Sequence, residues 1–194
     1  MPVLGLTGSL ASGKSTVLKL LKAKGVHCFD VDRKIHQYYR NKQSLVYKEI
    51  KSVFAQSFRR GVISRKMLAE VVFSDKNKLK KLEKIVHPLI IEELLNWIKK
   101  VKNKKGIYAA EVPLLFEKNL GKYFDKVILV TANKEVLLKR IIKKYNFSRK
   151  ETLNRLSFQV PIREKIKRAD FIIDNNLDFK KLKKGVGSLW KKIK

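Results

Sequence analysis

The chain is poor in the residues on which several classes of protein depend. Its 194 residues include one cysteine and three histidines, so an intrachain disulfide is impossible and no Cys/His pattern has zinc-site spacing. Cys28 is expected as a small buried hydrophobe, with a reactive thiol as the alternative. There is no apolar run of membrane-spanning length and no nucleophile-elbow motif of a serine hydrolase. An apolar segment follows the N-terminus directly, which predicts no signal segment and a cytoplasmic location.

Acidic residues are also scarce. Seventeen Asp and Glu stand against 46 Lys and Arg, for a formal net charge of +29, and such a charge attracts polyanions of any kind. The lysines alternate with apolar residues at helical spacing, as on the solvated faces of amphipathic helices. We interpret them mainly as a compositional bias, with a functional polyanion surface as the alternative. No recognised nucleic-acid-binding motif is present, so no specific nucleic-acid partner and no membrane partner are predicted.

The N-terminal region contains a phosphate-binding P-loop of the pattern G-x-x-x-x-G-K-[ST]. A short apolar strand precedes it and a helix-periodic segment follows, which is the context that the motif needs. Glycines let the backbone N–H groups point at phosphate oxygens, and the helix N-terminus favours the same anion. We predict that the lysine reaches the β- and γ-phosphates of ATP and that the serine hydroxyl binds Mg²⁺. The nucleotide-binding residues are Gly8, Ser9, Leu10, Ala11, Ser12, Gly13, Lys14, Ser15 and Thr16.

The remaining chain alternates short apolar strands with helices, which predicts an α/β fold with a five-stranded parallel sheet in a three-layer core. Strands are predicted at 3–7, 26–29, 107–110, 126–130 and 171–173. No strand is expected between 44 and 102, where Ser64 caps one helix and Pro88 interrupts another. We therefore predict a single domain with a core (1–40, 106–145 and 169–194), an inserted helical subdomain (about 41–105) and a helical, Arg-rich lid (about 146–168).

Polar side chains follow several strands, at the sheet edge where parallel α/β proteins bind ligands. Asp32 is predicted as the group that orients or deprotonates an acceptor hydroxyl, and capping of the next helix is the alternative role for Asp30 or Asp32. Glu111 is predicted to help hold Mg²⁺, or else to bond the P-loop. Arg140, where the lid begins, is the arginine most suited to the phosphates. A lone histidine such as His87 is more often structural.

These motifs together resemble the dephospho-CoA kinase family over essentially the whole chain. The resemblance rests on the P-loop, Asp30-Val31-Asp32, His87-Pro88-Leu89-Ile90, Pro113-Leu114-Leu115-Phe116-Glu117 and Ala169-Asp170 with Ile173-Asp174-Asn175. It implies phosphorylation of the ribose 3′-hydroxyl of dephospho-CoA with ATP and Mg²⁺.

The resemblance also implies a P-loop kinase domain of the nucleoside-monophosphate-kinase type, in which the helical insertion binds the acceptor, and it implies residue roles. Asp32 would be the base, Arg140 would lie near the phosphates and Asn175 near the adenine, while Arg65 and His87 would face the acceptor. Three departures stand out: Ser9-Leu10-Ala11 replaces a glycine-richer loop, Glu111 stands where many members have Asp, and Lys is unusually abundant. The alternatives are another nucleoside or small-metabolite kinase and a basic nucleic-acid-binding P-loop NTPase. A monomer or a weak homo-oligomer is expected.

Overall fold

The computed structural model describes residues 2–194, apart from the side chains of Asp32, Phe73 and Lys76. The strands are β1 (Val3–Gly8), β2 (His27–Asp30), β3 (Phe58–Arg59), β4 (Val62–Ile63), β5 (Tyr108–Glu111), β6 (Lys126–Thr131) and β7 (Phe171–Asp174). The helices are α1 (Lys14–Lys22), α2 (Val31–Arg40), α3 (Leu45–Val53), α4 (Arg65–Phe73), α5 (Lys76–Val101), α6 (Lys134–Tyr145), α7 (Arg149–Ser157), α8 (Ile162–Lys167) and α9 (Phe179–Ile193). Short 3₁₀ turns lie at Ala55–Ser57 and Gly121–Tyr123.

The chain divides into two compact units. One comprises Met1–Phe29 with Ile98–Lys194, and the other comprises Asp30–Trp97. The second unit begins at the end of β2, earlier than the insertion predicted at 41–105, and it ends within α5.

The first unit is built on a five-stranded parallel sheet in the order β2-β5-β1-β6-β7. All five predicted strands are confirmed. The central strand β1 is buried along its whole length, which explains its uninterrupted apolar and small residues. Leu4 and Leu6 of β1 belong to a core cluster that also contains Leu21 of α1 and Val186 of α9. Cys28, expected as a small buried hydrophobe, packs against this cluster but is half-buried.

The sheet edge is secured by Asp170, just before β7. Its carboxylate accepts hydrogen bonds from the Val127 N–H at 2.7 Å and the Lys126 ammonium at 2.9 Å. Burial raises the pKa of Asp170, but these hydrogen bonds outweigh it and the net pKa is lowered.

The second unit is mainly helical, with a core formed by Val46, Ile50, Phe54, Leu68 and Val72. The prediction that residues 44–102 contain no strand was wrong, because β3 and β4 form a short antiparallel hairpin. Its turn has positive φ at both Arg60 (50°) and Gly61 (73°), as the tight hairpin turns that match strand twist require.

Two prolines have opposite effects on the helices. The expected interruption at Pro88 is wrong, since α5 runs continuously through it; a long helix tolerates one missing N–H when tertiary packing holds both sides. The helical segment predicted at 146–168 consists of two helices, because α7 ends at Ser157 and Pro161 is the N-cap of α8. Among the described residues, no helix combines the length and apolar character needed to cross a bilayer.

Candidate active site

The P-loop follows β1 and turns on residues with left-handed backbone conformations. Gly8 has φ of 152° and Gly13 has φ of 101°. A Cβ at Gly8 would overlap the Val130 carbonyl oxygen, and one at Gly13 would overlap Nδ2 of Asn175. Ala11 also has positive φ, 59°, a conformation that strains a side-chain-bearing residue. The loop backbone therefore requires both glycines and carries strain at Ala11.

The helix after the loop has an open N-terminus. Gly13 is its N-cap, and no described side chain bonds the first-turn N–H groups of α1. Other helices have side-chain caps, from Asp30, Ser44, Ser64, Asp75, Ser148 and Asp178. The Thr16 N–H bonds the Gly13 carbonyl oxygen at 3.0 Å, and the positive dipole end of α1 favours an anion beside the loop.

The P-loop lysine is folded onto its own loop. Lys14 is 8% exposed, and its ammonium donates to the carbonyl oxygens of Gly8 and Ser9, each at 2.9 Å. Ammonium–carbonyl hydrogen bonds are charge-assisted and strong in a buried setting. The lysine therefore joins two points of the loop by hydrogen bonds. From this position its ammonium would also reach a bound phosphate.

Asn175, which follows β7, holds the P-loop by a hydrogen bond to its backbone. Its side-chain Nδ2 donates to the Ser12 carbonyl oxygen at 2.7 Å, and its backbone N–H donates to Thr131 at 2.8 Å. The residue is 7% exposed. The predicted adenine contact of Asn175 stays a prediction, and the hydrogen bond to Ser12 is a role that the local sequence does not signal.

Ser15 and Glu111 are brought together, as a shared cation site requires. The Ser15 hydroxyl donates to Oε1 of Glu111 at 3.1 Å. Both present hard oxygen ligands of the kind that Mg²⁺ prefers. Among residues whose side chains are described, no group of three or more His, Cys, Asp or Glu could hold a metal. A magnesium ion at this pair would therefore need further oxygens from a bound nucleotide and water, which is how Mg²⁺ is commonly held in kinases.

Arg140 lies on α6, ahead of the Arg-rich segment. It is half-buried, and its Nη1 atom is buried with no hydrogen-bond partner among the described residues. A guanidinium nitrogen without a partner is costly unless an acceptor arrives.

In the same region, the Arg155 guanidinium stacks 3.8 Å from the centre of the Phe147 ring. Burial lowers the pKa of Arg155, and the group remains charged.

The predicted base and acceptor residues belong to the second unit. Asp30 caps α2 by accepting from the Arg33 N–H at 3.0 Å, so the capping role expected of one of the two acids is filled by Asp30. Asp32 lies in the first turn of α2, and its side chain is outside the described part of the chain. Arg65 begins α4, and His87 is half-buried in α5. The structure does not test the predicted roles of Asp32, Arg65 or His87.

Sequence reasoning missed two basic cavities in this unit. One of about 310 Å³ is lined by His36, Tyr39, Arg40, Val62, Ile63 and Arg65. The other, of about 450 Å³, is lined by Arg59, Arg60, Val62, Ile63 and Ser64. The Arg-Arg-Gly turn of the β3–β4 hairpin is the sequence signal that could have revealed them, since it places arginines beside the apolar residues Val62 and Ile63.

A half-buried carboxylate connects two helices of the same unit. Glu93 of α5 accepts a short hydrogen bond from the Tyr38 hydroxyl and pairs with the Lys34 ammonium at 3.1 Å. Burial, followed by the hydrogen bond to Glu93, raises the pKa of Tyr38 to about 12. This network fixes α2, the helix that begins with the Asp30–Asp32 motif, against α5.

Comparisons with known proteins agree with the geometry. The family profile described as dephospho-CoA kinase matches residues 2–181. Dephospho-CoA kinase of Fusobacterium nucleatum is 41% identical over 95% of this chain and 94% of its own, and that of Aquifex aeolicus is 37% identical over 100% and 98%. The dephospho-CoA kinase structure from Campylobacter jejuni has 30% identity and a TM-score of 0.69, covering 98% of this chain and 96% of its own. A shikimate kinase at 14% identity and TM-score 0.53 shares the fold alone. The chain belongs to the dephospho-CoA kinase family.

Proposed function

We propose that this protein transfers the γ-phosphoryl group of ATP to the ribose 3′-hydroxyl of dephospho-CoA, giving coenzyme A and ADP. The observation that carries the proposal is a complete P-loop with an uncapped helix N-terminus, in a chain matched along residues 2–181 by the dephospho-CoA kinase family. The shikimate kinase, which shares only the fold, is 14% identical, against 41% for the dephospho-CoA kinase of Fusobacterium nucleatum.

The donor half of the reaction uses the loop and α1. The β- and γ-phosphates occupy the anion site formed by loop N–H groups, and the Lys14 ammonium exchanges its bonds to Gly8 and Ser9 for phosphate oxygens. Ser15 and Glu111, 3.1 Å apart, are the residues that would hold Mg²⁺. When bound, the ion neutralises charge on the phosphates.

The acceptor half uses Asp32. The acceptor oxygen forms a bond to the γ-phosphorus while the bond from that phosphorus to the β,γ-bridging oxygen breaks, and the hydroxyl proton passes to the Asp32 carboxylate. ADP departs with the bond electrons. Arg140, whose Nη1 atom has no described partner, is suited to accept the developing phosphate charge.

The acceptor itself has features that match the second unit. Dephospho-CoA carries an adenosine, a pyrophosphate and a flexible pantetheine arm. The cavity lined by His36, Arg40 and Arg65 over Val62 and Ile63 offers cations for the pyrophosphate beside an apolar surface. We assign Arg65 to this acceptor site, with His87 as a further acceptor-facing residue.

The reaction is tested by incubating the purified protein with ATP, Mg²⁺ and dephospho-CoA and measuring CoA and ADP. We expect stoichiometric formation of both. No turnover with dephospho-CoA, combined with turnover of shikimate, gluconate or a nucleoside, would favour another metabolite kinase instead.

Two substitutions separate the donor and acceptor roles. Lys14→Ala should abolish turnover, because it removes the phosphate-binding cation. Asp32→Asn should lower kcat by roughly 10²-fold or more, the usual scale for a general base, with little change in KM. A change in KM alone would contradict the role of Asp32 as the base. Asp75→Asn, at a half-buried acid of the same unit whose oxygen that accepts the Asn77 N–H is kept in the variant, serves as the matched control and should leave kcat unchanged.

A further inference from the structure

The Arg-rich segment 146–168 is attached to the core differently at its two ends. Near the start, α7 packs against α6, and the Arg149–Glu135 ion pair at 3.4 Å joins two side chains that are each 64% exposed. Exposed ion pairs hold elements together only weakly. The ion pair at the α7 end therefore holds the segment to the core only weakly.

The α8 half is joined to the core by a buried ion pair. The Lys165 ammonium lies 2.8 Å from Oε1 of Glu117, with exposures of 0% for the lysine side chain and 13% for the glutamate. The same Oε1 atom accepts the backbone N–H of Val160 at 3.1 Å. Separating two buried opposite charges leaves each without compensation, so this contact strongly resists opening.

The loop after β5 that receives α8 is itself fixed. Leu115 is fully buried and Phe116 is 4% exposed, and the Val112 N–H donates to Leu6 of β1 at 2.8 Å. The guanidinium of Arg168 lies 4.8 Å from the centre of the Phe116 ring. Residues 112–117 thus connect Glu111, beside the P-loop serine, directly to the anchor of α8.

From these contacts we infer that the proposed lid is shorter than the Arg-rich segment, and that Glu117 and Lys165 are positioning residues at its fixed hinge. Residues 146–159 close over the nucleotide, while 160–168 remain part of the core. The hinge lies at Gln159–Pro161, where a proline breaks the helix. Because the loop that carries Glu117 begins at Glu111, the pivot of the lid is set relative to the phosphate site. The position of the hinge is inferred from these contacts alone; that the lid closes over ATP rests on the proposed kinase function.

Segment-resolved hydrogen exchange tests the division of the lid. In the full protein without nucleotide, 160–168 should exchange as slowly as the core and 146–159 much faster; a non-hydrolysable ATP analogue should slow only 146–159. If 146–159 and 160–168 exchange equally fast without nucleotide and the analogue slows both, the segment moves as one body and the inference is overturned.

Substitutions at the hinge test the positioning role. Lys165→Met should accelerate exchange in 160–168 by roughly tenfold or more, lower kcat and raise KM for ATP, while KM for dephospho-CoA stays close to normal. Glu117→Gln keeps an acceptor for the Val160 N–H and should change the exchange rate, kcat and KM for ATP in the same directions but by less. This variant replaces Lys165→Met in the test if Lys165→Met folds poorly. The matched control is Lys167→Met, the same change at a 72% exposed lysine of α8, which should behave like wild type.

The outcomes are distinguishable. Lys165→Met and Glu117→Gln variants with lowered stability but unaltered kcat and KM would show a purely structural pair and overturn the positioning role. If the wild-type protein does not phosphorylate dephospho-CoA, the proposed function fails, whereas the exchange pattern with the ATP analogue still decides the hinge.

Discussion

The strained residue in the P-loop offers the sharpest test of the loop's architecture. Ala11 has φ of 59°, and a left-handed backbone costs an L-residue with a Cβ about 1–2 kcal/mol. Replacement by Gly removes that strain. The same replacement gives the unfolded chain more freedom, which costs about 0.4–1 kcal/mol. The difference predicts that Ala11→Gly stabilises the folded protein by about 0.8 kcal/mol.

The measurement is thermal unfolding without nucleotide. For a chain of this size, about 0.8 kcal/mol corresponds to a rise in Tm of roughly 2–3 °C. Because the looser loop must be ordered by its ligand, we also expect a modest rise in KM for ATP.

A matched substitution gives the control. Ala23, at the end of α1 in the same compact unit, has an ordinary right-handed conformation with φ of −64°. There, Ala→Gly has no strain to remove and should destabilise by about 0.4–1 kcal/mol. If Ala11→Gly lowers Tm as much as Ala23→Gly does, the argument from strain is refuted.

Three further predictions follow from particular contacts. Gly13→Ala forces a Cβ onto the Asn175 amide at positive φ and should greatly raise KM for ATP and lower Tm; Gly187→Ala, in open space on α9, should instead stabilise by about 1 kcal/mol. Asp170 has a pKa lowered from 3.8, so its stabilisation is present above that value and lost as the pH falls through the folded-state pKa. Asn at this position should thus cost stability in urea unfolding at pH 7, and the difference from wild type should shrink in acid. Tyr38 has a pKa raised to about 12, so its stabilisation is present below pH 10 and lost between 10 and 12. Tyr38→Phe should remove a phenolate that forms near pH 12 from an ultraviolet titration and flatten the alkaline loss of stability. An unchanged absorbance step near pH 12 in the variant would contradict this assignment.

Local pattern was sufficient for most of the core. The strands of the main sheet are short apolar runs whose type does not depend on distant residues, and the P-loop is defined by eight consecutive positions. Parallel strands then bring Glu111 to the loop, because the carboxyl ends of such strands share one edge of the sheet. The Ser15–Glu111 contact could be anticipated for this reason.

Long-range contacts were beyond the reach of pattern. The hydrogen bond from Asn175 to Ser12 joins residues 163 positions apart, and Lys165 looks like any other helical lysine until its burial is known. The β3–β4 hairpin was missed because its strands are only two residues each, too short to show alternation. Continuity through Pro88 depends on packing along both halves of α5, which a local rule about proline does not include.

The internal bonds of the P-loop lysine have a consequence for ligand selectivity. With Lys14 already satisfied by two carbonyl oxygens, an incoming anion gains only the difference between old and new hydrogen bonds. A lone inorganic phosphate gains little binding free energy from this exchange and should compete weakly with the loop's own carbonyl oxygens for Lys14. A triphosphate engages the lysine, the helix N-terminus and the loop N–H groups at once, so the exchange becomes favourable. From the internal hydrogen bonds of Lys14 we therefore expect the loop to bind a triphosphate in preference to small anions.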